Sequence, residues 1–280
     1  GYYTNEGTAE MTRSSQAICP PGHYCVDGKR YMCKEGHYGE GTANTAHTCE
    51  GKCDPGHWCA EGSTSRTQNE CGGSGLYCPK GSHTPTPVSP GYYTVPGAID
   101  LEIRYGRDQK NNTMSAQRVC EPGYYCKAGV KYHCDPGSWS NDWGMRGQSD
   151  CDECEEGHYC ESHPLQPSTS ATQKECGGVA LYCPAGSSKP LNVSLGYYTV
   201  PLGASNATRV GQAKCEKGTY CVGGVRRKCP QGVWGAEEGM LDRKCSGFCP
   251  AGSYCPEGST APIPCGDNEY STAGAWTCIS

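Results

Sequence analysis

Cysteine is the residue that most constrains how this chain can fold. The sequence of 280 residues contains 24 cysteines, an even and dense count that is typical of disulfide-stabilised proteins in an oxidising compartment. Zinc ligation in a reducing cell is the alternative, but the only Cys-x-x-Cys pair is Cys151–Cys154, and no second pair or His-x-x-x-His stands at metal spacing. We therefore expect disulfides throughout, no metal or other cofactor, and an extracellular location: secreted, on a cell surface or in a matrix.

Large apolar side chains are scarce. Leu, Ile, Val and Phe together number 26, which is too few to bury the area that normally offsets chain entropy. Covalent cross-links are expected to replace the large core, and this excludes a conventional globular enzyme. No apolar run approaches the roughly 20 residues of a membrane span. A net charge of -5, spread along the chain, argues against nucleic acid as a partner.

The cysteines fall into three units of eight with nearly the same spacing. The first six cysteines of each unit are separated by 5, 7, 15 or 16, 2 or 3, and 5 residues. This periodicity predicts three cysteine-rich repeats at 1–90, 91–195 and 196–280, the last being a variant. The joining peptides, 83–90 and 187–194, are rich in Pro, Ser and Thr, and they favour stiff connectors and an elongated array.

A shorter motif, Cys-x-x-Gly-x-aromatic, occurs nine times within these units. Glycine supplies the positive φ that a tight turn needs, and the ring two residues later is free to pack on a disulfide. With so few aliphatic residues, we expect these rings and the cystines to form miniature cores. The predicted turn and core aromatics are Tyr24, Tyr38, Trp58, Tyr125, Trp139, Tyr159, Tyr220, Trp234 and Tyr254.

Each repeat opens with Gly-Tyr-Tyr-Thr, at residues 1–4, 91–94 and 196–199. The β-prone stretches 93–95, 98–103 and 197–200 favour hairpin strands, and nothing longer than a turn or two looks helical. The predicted fold class is small disulfide-rich modules of short β-hairpins and turns with little helix, in an elongated tandem-repeat array.

Three stretches carry a resemblance to a known family: Cys19-Pro-Pro-Gly-His-Tyr-Cys25, Cys249-Pro-Ala-Gly-Ser-Tyr-Cys255, and the segment from Cys265 to Cys278. They resemble the ephrin-receptor-like cysteine-rich repeats, also called GCC2/GCC3 repeats, which are similar in style to EGF-like and tumour-necrosis-factor-receptor modules. The likeness covers about two-thirds of the chain. Six of the nine motifs depart from the family pattern because a cysteine follows the aromatic residue directly. The resemblance implies an extracellular surface or matrix protein.

The spacing alone does not give the disulfide connectivity, because eight cysteines allow 105 pairings. The resemblance implies that, where no cysteine directly follows the aromatic residue, the motif cysteine pairs with the next cysteine in the sequence. The pairs that it implies are Cys33–Cys49, Cys134–Cys151, Cys229–Cys245 and Cys265–Cys278.

Three Asn-x-Ser/Thr sequons lie between the cysteines, at Asn111, Asn192 and Asn206, and they predict covalent N-glycans. The basic stretch 225–228 is interpreted either as a solvated loop, which is favoured, or as a sulfated-glycan site. Histidine occupies the place between Gly and the ring in four motifs, but Tyr, Ser, Thr and Val occupy it in the others. We therefore expect no metal or pH-sensing role for these histidines.

The sequence contains no Gly-x-Ser-x-Gly, His-Glu-x-x-His or phosphate-loop motif, and no cysteine is left over from the repeat. We therefore predict a non-enzymatic structural protein, a glycosylated repeat unit of an extracellular filament, surface coat or matrix. Its expected partners are other copies of itself, head to tail, or other extracellular proteins. The alternative is the ectodomain of a receptor or adhesion protein, and a weaker one is a secreted inhibitor or toxin-like scaffold. No signal peptide is visible and residue 1 is Gly, so we expect a processed chain or a segment of a longer one.

Overall fold

The computed structural model describes residues 1–5, 15–96, 112–161, 166–201 and 205–280. Within these ranges every strand belongs to a two-stranded antiparallel pair, and the only helical segments are the 3-10 turns Gln148–Asp150 and Ser170–Thr172. All 24 cysteines are disulfide-bonded. The predicted fold class of small disulfide-rich modules with short hairpins and little helix is therefore confirmed.

The strands pair in chain order, each with its neighbour in sequence. The pairs are β1 (Tyr2–Asn5) with β2 (Ser15–Ile18), β3 (His23–Val26) with β4 (Lys29–Met32), β5 (His37–Tyr38) with β6 (Gly51–Lys52), β7 (His57–Trp58) with β8 (Asn69–Glu70), β9 (Leu76–Tyr77) with β10 (Thr86–Pro87), β11 (Tyr92–Pro96) with β12 (Met114–Val119), β13 (Tyr124–Lys127) with β14 (Val130–His133), β15 (Ser138–Trp139) with β16 (Asp152–Glu153), β17 (His158–Tyr159) with β18 (Lys174–Glu175), β19 (Leu181–Tyr182) with β20 (Leu191–Asn192), β21 (Tyr197–Val200) with β22 (Gly211–Lys214), β23 (Thr219–Val222) with β24 (Val225–Lys228), β25 (Val233–Trp234) with β26 (Gly247–Phe248), and β27 (Ser253–Tyr254) with β28 (Ile263–Pro264). The predicted strands at 93–95 and 197–200 lie in β11 and β21, whereas the stretch 98–103 lies outside the described residues.

The chain forms two units. The first comprises residues 1–134 and 140–151 and contains β1 to β14, and the second comprises 135–139 and 152–280 and contains β15 to β28. Each unit holds its own disulfides, and no bridge joins the two. The three repeats at 1–90, 91–195 and 196–280 stay a prediction from cysteine spacing.

The disulfides fall into a short class with sequence separations of 6 or 7 and a long class with separations of 13 to 17, and the class follows from whether a cysteine stands directly after the aromatic ring. Where the residue after the ring is cysteine, the bridge is short, as in Cys19–Cys25. Where it is Gly39 or Gly235, the motif cysteine instead closes a loop of 16 residues. A β-carbon on Gly39 would lie 3.0 Å from Cys33 Sγ, and one on Gly235 would lie 2.9 Å from Cys229 Sγ, so glycine leaves room for these two long bridges. The other two long bridges form where a serine, Ser140 or Ser271, follows the ring. The long bridges are Cys33–Cys49, Cys134–Cys151, Cys229–Cys245 and Cys265–Cys278, the same pairs that the family resemblance implies.

Three of the strand pairs are closed by two-residue turns in which both central residues have positive φ, which is the type I′ geometry of tight hairpins. The turns are Asp27-Gly28, Ala128-Gly129 and Gly223-Gly224. The carbonyl of each turn glycine accepts a hydrogen bond from the threonine of a Gly-Tyr-Tyr-Thr segment, with N···O distances of 3.0 Å for Thr4, Thr94 and Thr199. The repeated Gly-Tyr-Tyr-Thr therefore forms a strand that lies beside a hairpin turn.

A close backbone approach recurs at the motif glycines. Gly137, for example, has φ of 90°, and the carbonyl oxygen of Gly186 occupies the place where its β-carbon would lie. The same contact joins Gly22 to Gly62, Gly36 to Gly81, Gly91 to Gly144, Gly196 to Gly239, Gly218 to Gly258, and Gly232 to Gly274. The glycine of Gly-Tyr-Tyr-Thr thus makes the same close contact with a carbonyl oxygen as the glycine of Cys-x-x-Gly-x-aromatic.

Within each unit, backbone hydrogen bonds connect these hairpins to their neighbours. The N–H of a motif cysteine donates to the carbonyl of the preceding motif glycine, as in Cys154 to Gly137 at 2.8 Å. The glycine's own N–H donates forward, as in Gly137 to the Cys160 carbonyl at 2.9 Å. Main-chain groups that would otherwise need water are therefore satisfied between hairpins, without a large apolar core.

The small apolar clusters contain different rings from those predicted. Tyr93 and Tyr124 are buried with Cys120 and Cys126 in the first unit, and Tyr198 is buried with two cysteines in the second. All nine rings predicted from the motif are only half-buried: Tyr24, Tyr38, Trp58, Tyr125, Trp139, Tyr159, Tyr220, Trp234 and Tyr254. Two of them stack across their hairpins, Tyr24 on Tyr31 and Tyr125 on Tyr132, each at 5.3 Å between ring centroids.

The glycine–carbonyl contact gives a test with a matched control. We expect Gly137→Ala to lower the free energy of unfolding through two effects: the positive φ costs about 1–2 kcal/mol for an L-residue, and overpacking against the Gly186 carbonyl costs about 1–3 kcal/mol more. Gly252→Ala is the control, because Gly252 has φ of 81° but open space at its β-carbon. Thermal melts of the oxidised proteins measure both, and equal losses for the two variants would contradict the role of the carbonyl.

Candidate functional sites

The sequence predicts N-glycans at three sequons, and the structure describes two of them. Asn192 lies at the end of β20 and Asn206 lies in the segment before β22, and both residues are exposed. Asn111 lies outside the described residues. An exposed asparagine is what an N-glycan requires.

The serine of the Asn192 sequon has a structural function of its own. The backbone N–H of Ser194 donates to Gln212 Oε1 at 2.7 Å, and Gln212 Nε2 donates to Ser194 Oγ at 3.0 Å. Ser89 and Gln117 form the same pair at 2.8 and 3.0 Å, although Pro87 stands there in place of the asparagine. The presence of Ser194 is thus explained by the fold, whether or not Asn192 carries a sugar.

Asn206 is held by a neighbouring arginine. Arg209 Nη2 donates to Asn206 Oδ1 at 2.9 Å, so the contact uses the side-chain oxygen and not Nδ2, the atom to which an N-glycan is attached. The Asn206 sequon is therefore compatible with both the arginine contact and a glycan.

Arg209 itself occupies an apolar position of the fold. Its carbonyl accepts the Cys183 N–H at 2.8 Å, just as the Met114 carbonyl accepts the Cys78 N–H at 2.9 Å. Met114 is 2% exposed and Arg209 is 7% exposed. Among the described residues, Arg209 Nε and Nη1 have no hydrogen-bond partner, and a buried charge of this kind is costly.

We expect Arg209→Met to stabilise the protein, because it places the methionine of the equivalent position in the second repeat at this site. Replacing a buried charged group by an apolar one of similar volume is neutral or stabilising by about 1–4 kcal/mol. Calorimetric melting of the variant should show a higher midpoint. Arg227→Met is the matched control at an exposed position of β24 and should leave the midpoint nearly unchanged. A lower midpoint for Arg209→Met would mean that the guanidinium is paired in solution.

A polar cluster joins the Gly-Tyr-Tyr-Thr strand to the hairpin beside it in the first unit. Lys131 Nζ donates to Glu121 Oε2 at 2.7 Å, and the Tyr93 hydroxyl donates to Glu121 Oε1 at 2.8 Å. The ammonium also lies 4.1 Å from the ring centroid of Tyr124 and 5.1 Å from that of Tyr93. The lysine side chain is only 6% exposed, so the carboxylate and the two rings together replace its hydration.

The cluster shifts the pKa values of two of its members. Burial and the hydrogen bond to the Glu121 carboxylate both raise the pKa of Tyr93. Burial alone would raise the pKa of Glu121, but the hydrogen bonds from Lys131 and Tyr93 outweigh it and lower that pKa below its ordinary value. The Glu121 carboxylate therefore lies between a neutral phenol and an ammonium, and it connects the strands that carry them.

The second unit contains the same cluster with arginine in place of lysine. Arg226 Nη1 lies 2.7 Å from Glu216 Oε1, the Tyr198 hydroxyl donates to the same oxygen at 2.9 Å, and the guanidinium lies 4.9 Å from the Tyr198 ring centroid. Residues 225–228 form the strand β24 and not the predicted loop, but the segment is solvated as predicted, since its last three residues are exposed. In the first repeat, Arg30 lies 4.9 Å from the Tyr3 ring centroid, with Pro20 at the place of the glutamate.

The four motif histidines share one local contact. Each Nδ1 lies 3.0 to 3.4 Å from the carbonyl oxygen two residues earlier, in His23, His37, His57 and His158. Within the described ranges, no group of three or more His, Cys, Asp or Glu side chains is arranged to hold a metal ion. In the same ranges, no helix has the length and apolar character needed to cross a membrane.

The comparisons with known proteins give no family. No protein-family model matches the chain, and no curated protein matches its sequence.

The carboxylate of the first-unit cluster predicts an acid dependence of stability. Because the pKa of Glu121 is lowered in the folded state, its ionised form stabilises the fold above the ordinary glutamate pKa of about 4.3. That contribution is lost as the pH falls through the lower folded-state value. We therefore expect melting temperatures to fall more steeply between about pH 6 and pH 3 in the native chain than in Glu121→Gln.

Glu257→Gln serves as the control for this titration, because Glu257 is exposed and outside the cluster. Its profile should follow that of the native chain. Parallel profiles for Glu121→Gln and the native chain would show that the cluster carries no acid-labile stability.

Proposed function

We propose that this chain is a non-enzymatic structural protein, a disulfide-stapled repeat unit of an extracellular filament, surface coat or matrix that assembles with further copies of itself. The observation that supports this most is the recurrence of one backbone connection, motif glycine to later carbonyl, from hairpin to hairpin. In repeat proteins, neighbouring units stabilise each other in this way and a chain of units can be extended.

The polar groups support the same proposal. The cation–tyrosine–carboxylate clusters at Glu121 and Glu216 connect strands, and the Ser–Gln pairs fix the segments before β11 and β21. These groups have structural partners, which favours a scaffold over an enzyme. Disulfide density favours an oxidising, extracellular compartment for such a scaffold, and N-glycans at the sequons would add a hydrated outer surface.

The resemblance of the motifs to ephrin-receptor-like repeats is compatible with this role and also with the alternative, the ectodomain of a receptor or adhesion protein. Exposed aromatic residues favour that alternative because such side chains dominate binding surfaces. Examples are Tyr2, at 54% exposed, and Tyr270, at 61%.

Electron microscopy of native, oxidised material tests the proposal. Regular fibres or sheets are expected, and they should disperse when the disulfides are reduced, because so few large apolar residues remain to hold the fold. Single monodisperse particles at all protein concentrations would favour the receptor alternative. Mass spectrometry of the same material, with sugars retained, reports whether Asn111, Asn192 and Asn206 are occupied.

A further inference from the structure

The three repeats act as internal controls for one another, and Trp143 is an exception among them. It precedes Gly144, whose φ is 74°, in the segment that covers Gly91. The equivalent residues are Thr42, before Ala43, and Glu238, before Gly239. All three positions are exposed, and Trp143 is 62% exposed. The fold therefore accepts a small or charged residue here and gives no reason for an indole.

Phe248 is a second exception of the same kind. It is the only phenylalanine of the chain and the last residue of β26, where the equivalent strands β6 and β16 end in Lys52 and Glu153. Its ring is 77% exposed, with Cδ1 3.5 Å from the place of a β-carbon on Gly274. A charged residue stands at this position in the other two repeats, so the hairpin does not require a phenyl ring here.

Phe248 forms one wall of a groove in the second unit. The groove has a volume of about 450 Å³, with Pro230 and Val233 among its apolar residues and Arg243 and Lys244 at its basic side. Neither base forms an ion pair with any residue that the structure describes. An aromatic wall beside two unpaired cations is suited to an aromatic side chain that carries an acidic neighbour.

The segment around Trp143 has this chemistry. Asp142 directly precedes the indole and is exposed, and its backbone N–H donates to Ser140 Oγ at 3.0 Å. Ser140 is fully buried, so the backbone that carries the exposed pair is anchored to the interior at Asp142 before any contact forms. Preorganisation of this kind reduces the entropy lost on binding.

We propose that the groove at Phe248 binds Trp143 of a second copy of this chain, with Asp142 of that copy facing Arg243 and Lys244. The inference rests on the proposed self-assembly and names its contact. We call Trp143 and Asp142 the knob of this contact. Because the knob and the groove are different surfaces of one chain, the contact is heterologous. Repeated without closing into a ring, such a contact produces a fibre.

The test uses two variants that each take the residue of the first repeat, Trp143→Thr and Phe248→Lys. Sedimentation velocity of the full oxidised chain should show that the native protein forms larger assemblies as its concentration rises. Either variant alone should associate at least about tenfold more weakly than the native protein. Tyr132→Arg is the control, since it removes an exposed ring outside both surfaces and takes the residue of the third repeat, Arg227. The control should associate like the native chain.

Mixing the two variants gives the decisive result. Trp143→Thr keeps an intact groove and Phe248→Lys keeps an intact knob, so an equimolar mixture should form a one-to-one dimer and nothing longer. A native chain that assembles while either variant assembles equally well would overturn the contact and leave the proposed function standing. A native chain that stays monomeric would overturn both. Variants that dissociate alone but form no mixed dimer would show that knob and groove do not meet.

Discussion

A carbonyl oxygen placed where a β-carbon would be is the constraint on which this structure depends. The carbonyl oxygen of Gly186 lies at the β-carbon position of Gly137, and the carbonyl oxygen of Gly81 lies at that of Gly36. In both cases only glycine leaves space for the oxygen while it adopts a positive φ. The approach brings successive hairpins close enough for main-chain hydrogen bonds between them. A protein with 40 glycines and one phenylalanine can therefore be ordered without a large apolar interior, provided that its loops are closed covalently.

The disulfides complement this backbone packing. A short bridge, such as Cys53–Cys59, closes a single turn, whereas Cys33–Cys49 encloses a longer loop. In the long bridge, Cys33 Sγ lies against Gly39. Each motif cysteine therefore has one partner, either the cysteine directly after its ring or a cysteine in the later loop.

The sequence was sufficient for the fold class because cysteine spacing and motif glycines report directly on turns and cross-links. It was insufficient for the core because neighbouring strand residues face opposite sides. Tyr124 and Tyr125 are adjacent in the chain, and the motif selects Tyr125, but Tyr124 is the buried one. Of the partners that bury it, Tyr93 comes from another hairpin and Lys131 comes from the opposite strand of the same hairpin, so the motif around Tyr124 marks neither of them. An alignment of the Gly-Tyr-Tyr-Thr glycines with the motif glycines could have revealed the shared packing.

Comparison between repeats separates residues that the fold requires from residues that it merely tolerates. Arg209 and Trp143 both differ from their counterparts, but in opposite ways. Arg209 places a charge where Met114 is buried, so its cost falls on the folded state and selection for stability would remove it unless Asn206 needs the contact. Trp143 costs the fold little because its site is exposed, yet an exposed indole lowers solubility in every copy. We expect such a residue to persist where another surface covers it. Phe248 is a second exposed aromatic ring that stands where the other repeats have a charged residue.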